Sequence, residues 1–105
     1  MIYLDNAATT FPKPPSVIKE VGKCIETYCG NPGRGSHRLA LEASEKIFSC
    51  RERLSDFFSV GAPERVFFTL NTTYALNTAI KGILRRGDHV VISDMEHNSV
   101  FRPIY

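Results

Sequence analysis

Residues 65–70 read Arg65-Val66-Phe67-Phe68-Thr69-Leu70, and residues 89–93 read His89-Val90-Val91-Ile92-Ser93. Both runs are short and apolar, and both follow turn residues: Gly61-Ala62-Pro63 before the first, Gly87-Asp88 before the second. β-Branched and aromatic side chains bounded in this way suit buried strands. Between them, Leu76, Ala79, Ile80, Ile83 and Leu84 recur on one helical face, which predicts a helix from Thr73 to Leu84. Strand, helix and strand in this order form a βαβ unit, with parallel strands joined by a right-handed crossover. The expected class is therefore α/β, with helices packed on a short parallel βαβ sheet fragment. Parallel sheets need cover on both faces, so this topology asks for more chain than these two strands supply.

Upstream, Ile2-Tyr3-Leu4 is a short β-prone run and Asp5-Asn6-Ala7-Ala8-Thr9-Thr10 a polar turn segment. Pro12, Pro14 and Pro15 hold the next stretch extended. Val17, Val21, Ile25 and Tyr28 then predict a helix from Pro14 to Tyr28, ended by Gly30-Asn31-Pro32-Gly33. Arg34-Gly35-Ser36-His37-Arg38 reads as a loop. A second helix is predicted from Leu39 to Phe58. Its buried face would be Ala40, Ala43, Ile47, Cys50, Leu54 and Phe57, with Glu42 and Lys46 paired on the other face. The chain thus divides into an amino-terminal segment with helices, 1–60, and the start of a second domain, 61–105.

With 43% apolar and 23% charged residues the composition is that of a globular chain, which argues against disorder. A net charge of +2 with interspersed signs gives no case for nucleic-acid or membrane binding. No apolar run approaches the ~18 residues of a membrane span. The opening Met1-Ile2-Tyr3-Leu4-Asp5 lacks the basic and apolar regions of a secretory signal, so a cytoplasmic location is expected. Cys24, Cys29 and Cys50 are odd in number and contain no C-x-x-C pair, and the three histidines lack ligand spacing, so neither a disulfide framework nor a metal site is expected.

Ligands of open α/β sheets gather at the carboxyl ends of strands, which here directs attention to Asn71-Thr72-Thr73 and Asp94-Met95-Glu96-His97-Asn98. The first loop opens a helix, whose free N–H groups attract anions. Thr72 and Thr73 are either phosphate donors or helix caps. His97 in the second loop is either a cofactor-stacking or proton-shuttling group or a surface residue. His37, between Arg34 and Arg38, is either an anion contact or part of a solvated basic loop. Neither a P-loop nor a G-x-G-x-x-G fingerprint occurs.

Four segments, in order, resemble class V aminotransferases of the cysteine desulfurase type. They are Tyr3-Leu4-Asp5-Asn6-Ala7-Ala8-Thr9-Thr10; Gly30-Asn31-Pro32-Gly33-Arg34-Gly35-Ser36-His37-Arg38-Leu39-Ala40; Phe68-Thr69-Leu70-Asn71-Thr72-Thr73 running on to Asn77 and Ala79-Ile80-Lys81-Gly82; and Gly87-Asp88-His89-Val90-Val91-Ile92-Ser93 with Met95-Glu96-His97-Asn98-Ser99-Val100. The resemblance covers essentially the whole chain and matches the amino-terminal portion of that family. It implies a partial pyridoxal-phosphate-dependent transferase fold, in which residues 61–105 begin the cofactor-binding domain. His97 would lie over the cofactor ring as a catalytic group, and Thr72 and Thr73 would bind its phosphate. Asn6, Ala7, Arg34 and His37 would lie near the substrate pocket. The family's phosphate loop often has Gly and Ala where Asn71 and Thr72 stand here.

The reaction implied by the resemblance removes sulfur from L-cysteine, giving L-alanine and an enzyme persulfide, with pyridoxal 5'-phosphate as electron sink. A homodimer and a sulfur-acceptor protein are implied partners. The chemistry also needs a Schiff-base lysine, a carboxylate at the pyridine nitrogen and a nucleophilic cysteine. The resemblance places these beyond residue 105; Lys81, Cys24, Cys29 and Cys50 do not match them. These 105 residues alone are therefore not expected to turn over. The alternatives are a non-catalytic binding module, or selenocysteine lyase or other class V chemistry.

Overall fold

The computed structural model describes residues 1–105. Two compact units divide them, Met1–Arg65 and Val66–Tyr105.

The first unit is built on two helices. Helix α1 spans Pro15–Lys23 and runs on as a π-helical turn, Cys24–Tyr28. Pro15 opens it, where a missing N–H costs nothing. Helix α2 spans Arg38–Phe57. The π-turn packs against α2 and buries Tyr28, the largest side chain in this unit's core. Tyr28 Oη donates to Glu20 Oε1 at 2.5 Å, Lys46 Nζ of α2 lies 3.5 Å from the same carboxylate, and that ammonium sits 5.7 Å from the Tyr28 ring centroid. This bond holds the Glu20 carboxyl below its ordinary 4.5 and pushes the Tyr28 phenol up to about 12. The pairing expected between Glu42 and Lys46 is replaced: Glu42 lies 3.8 Å from Arg38, one helical turn earlier, while Lys46 crosses to α1.

Gly30 lies against the start of α2 so closely that a Cβ there would fall 2.6–2.8 Å from the backbone of Leu39 and Ala40. Ser44 Oγ, 2.8 Å from the carbonyls of both Pro32 and Ala40, ties the same loop to the helix. Helix α2 ends when Ser59 takes a left-handed φ of 53° and the Val60 N–H reaches back to the Ser55 carbonyl at 2.9 Å, a Schellman stop with serine where glycine is usual. Of the face expected to be buried, Ala40 is buried and Ala43, Ile47 and Leu54 are half-buried, but Cys50 and Phe57 are exposed. The three cysteines are free thiols.

In the second unit, helix α3 (Thr72–Ile83) packs on a short helix α4 (Asn98–Ile104). Ile80, Leu84, Val90, Ile92, Val100 and Ile104 line an apolar groove here. Sequence reading predicts a helix at α3 but none at α4, its loop at residues 94–98 reaching only the first residue of that helix. Helix α4 carries Pro103 near its end and is capped by histidine, a residue outside the usual Ser, Thr, Asp and Asn caps.

The α/β expectation is overturned. The chain contains no strand, and the short parallel βαβ sheet fragment does not form. Residues 66–70 and 89–93 carry no ladder. Phe67, Phe68, Leu70 and Val91 stay at least half exposed. The apolar composition of these runs says that they suit a sheet, but a strand exists only when a neighbour takes up its N–H and C=O groups. Here the two runs do not supply that neighbour to each other. No helix is long and apolar enough to cross a membrane.

Candidate functional site

The side chains with chemical potential converge where α3 and α4 begin. Asn71 is the cap of α3: its Oδ1 accepts from the Tyr74 N–H at 3.0 Å. The capping role considered for Thr72 or Thr73 is thereby taken by the residue before them, and neither threonine hydroxyl has a protein partner. Asn77, one turn after Thr73 and on the same face, donates from Nδ2 to the Thr73 carbonyl at 2.9 Å.

His97 caps α4. Its Nδ1 accepts from the Ser99 N–H at 3.1 Å and lies 2.9 Å from Ser99 Oγ. Glu96 is turned to other work, accepting from Ser93 Oγ at 2.9 Å.

A cleft of about 290 Å³ opens between the two helices, lined among others by Thr73, Asn77, His97, Ser99 and Arg102. Thr73 and His97, far apart in sequence, thus share one cavity. The lining includes Arg102 and no acidic residue, and Arg102 has no ion pair, so the cleft suits an anion. Sequence reading missed Arg102. The signal is there once α4 is known, because Asn98 and Arg102 stand four apart on one helical face. Thr72 does not line the cleft. A larger cleft of about 610 Å³ involves Lys81, Arg85 and Arg86 at the other end of α3, without a histidine or a free threonine.

The remaining expected residues lie in the first unit. Asn6 Oδ1 accepts from the Phe11 N–H at 3.2 Å, and Ala7 is exposed in the adjoining turn. Arg34 is exposed and bonds through its main chain to the Asn31 carbonyl at 3.4 Å. His37 caps α2, its Nδ1 accepting from the Ala40 N–H at 3.3 Å.

The family model described as aminotransferase class-V matches residues 2–105. The chain belongs to the class V aminotransferase family. Within it, the chain is similar to a probable cysteine desulfurase of Methanothermobacter thermautotrophicus, at 38% identity over 97% of this chain and 25% of that protein. It is 37% identical to the cysteine desulfurase IscS of Proteus mirabilis over 94% of this chain and 26% of that protein. It is also 32% identical to a probable cysteine desulfurase of Borreliella burgdorferi, over 98% of this chain and 25% of that protein. This class V chain therefore spans about a quarter of the length of the curated relatives it matches. No solved structure matches it.

Proposed function

We propose that this segment forms one side of a pyridoxal 5'-phosphate pocket in an enzyme of the cysteine desulfurase type, acting on L-cysteine to give L-alanine and an enzyme persulfide. The observation that carries the reading is the shared cleft of Thr73 and His97, with Arg102 as a third group. Its donor set fits the cofactor: an unpartnered hydroxyl and an unpaired guanidinium for a phosphate, and a planar imidazole for a pyridine ring. When bound, the cofactor supplies an electron sink for the carbanion of the substrate.

The chain's own residues have distinct tasks in this reading. Thr73, with the opening N–H groups of α3 beside it, binds the phosphate, and Arg102 offsets its charge. His97 covers the ring and moves a proton at Nε2, the ring nitrogen left free by the cap. Asn6, Ala7, Arg34 and His37 belong to the substrate side of the same proposal, as do a homodimer, a sulfur-acceptor protein and a cytoplasmic setting. The names of the relatives support the substrate assignment.

The test compares two histidines in the full-length holoenzyme, assayed for alanine and sulfide from L-cysteine. His97→Ala should lower turnover by ~100-fold, the usual weight of a positioned acid–base group. His89→Ala should change it by less than about twofold, as expected of a surface substitution within ~0.5 kcal/mol. Equal effects would refute the role given to His97.

A further inference from the structure

The His97 ring is held by a single residue acting twice. The Ser99 main-chain N–H can only donate, so the Nδ1 atom it meets at 3.1 Å must present its lone pair. In the neutral imidazole the proton then sits on Nε2. The Ser99 hydroxyl stands 2.9 Å from the same Nδ1 and, facing an acceptor, must donate as well. Ser99 is only 8% exposed, so water competes poorly for that hydroxyl. His37 provides an internal contrast. It caps α2 through Nδ1 in the same way, at 3.3 Å, but the residue two positions on is Leu39, and no hydroxyl reaches its ring.

A main-chain donor alone makes a cap. A second donor on the same lone pair fixes the plane of the ring as well as its tautomer. We propose that Ser99 is the positioning residue of His97, holding the imidazole so that the protonated Nε2 is the ring nitrogen left available to the cleft. The proposal rests on the reading of the cleft as a cofactor pocket. It adds a residue whose part is played through His97.

The experiment uses the full-length protein with 15N-labelled histidine, first without cofactor and then as holoenzyme. In the wild type, His97 Nδ1 should resonate as a hydrogen-bonded pyridine-type nitrogen and Nε2 as a protonated one. In Ser99→Ala, the Nδ1 resonance should move toward the value of an unbonded nitrogen, and in Ser99→Thr it should return. The His37 resonances should stay unchanged in both variants. In the holoenzyme, Ser99→Ala should lower kcat roughly fivefold, the weight of one net hydrogen bond, with KM for L-cysteine unchanged, and Ser99→Thr should restore kcat. A stationary Nδ1 resonance in Ser99→Ala overturns the hydrogen bond and the proposal with it. A shifted resonance with unchanged kcat overturns the positioning role. If the wild-type protein does not take up pyridoxal 5'-phosphate, the reading of the cleft falls along with the use assigned to the ring, while the Nδ1 shifts still report the Ser99 bond on their own.

Discussion

Replacing Gly30 by alanine should destabilise the protein, whereas the same replacement at Gly22 or Gly82 should stabilise it. A Cβ at Gly30 would lie 2.6 Å from the Leu39 carbonyl carbon, 2.7 Å from its oxygen and 2.8 Å from the Ala40 nitrogen. All three are backbone atoms, so no side chain can turn aside, and the start of α2 must move. Overpacking of this kind costs ~1–3 kcal/mol. The displaced Ala40 N–H is also the one that His37 caps, and losing a cap adds ~1 kcal/mol. The expected loss for Gly30→Ala is thus about 2–4 kcal/mol. Gly22 and Gly82 lie inside α1 and α3 with nothing within 4 Å of their added Cβ. Alanine there restricts the unfolded chain without a clash and should contribute ~0.5–1 kcal/mol. Urea unfolding of the three variants, followed by far-ultraviolet circular dichroism, gives the sign directly. A Gly30→Ala protein as stable as the wild type would refute the close approach, and with it the account of how the 30–37 loop is held.

Three further outcomes are expected. The Tyr28 phenol, at about 12 against an ordinary 10.0, favours its protonated form in the fold. Its contribution should be intact below pH 10 and lost as the pH rises toward 12, while Glu20, lowered from 4.5, should lose its contribution as the pH falls below that value. Urea midpoints of the wild type against Tyr28→Phe across both windows should converge at the extremes, and parallel curves would exclude the pair as the cause. Asn71→Ala should cost ~1 kcal/mol through the lost cap, while Thr72→Ala, whose hydroxyl has no partner, should stay within ~0.5 kcal/mol; thermal unfolding that ranks them in reverse would return the capping role to threonine. Ser59→Gly should stabilise by roughly 0.5–1 kcal/mol, because φ of 53° is unstrained for glycine; a lower midpoint in urea would mean that the serine side chain is needed there.

The helices were legible because their signals are local. The apolar recurrence at Ala40, Ile47 and Leu54, the prolines at 14 and 15, and the turn at Gly87 each act within a few residues, so α1, α2 and α3 lie close to where the spacing puts them. The sequence also carries the motifs that mark class V membership, and these single out Thr73 and His97 without any geometry. Helix α4 was not legible, because its cap is a histidine and it carries a proline.

What only the tertiary structure decided is non-local. Residues 66–70 and 89–93 have the composition of strands, but pairing is a property of two segments, and composition reports one. The same limit applies to the side chains. No spacing rule says that Lys46 reaches across to Glu20, that Gly30 touches the backbone of Leu39, or that Thr73, His97 and Arg102 line one cleft. Each of those facts depends on where another part of the chain lies, which the hydrogen bonds and packing of the folded state determine.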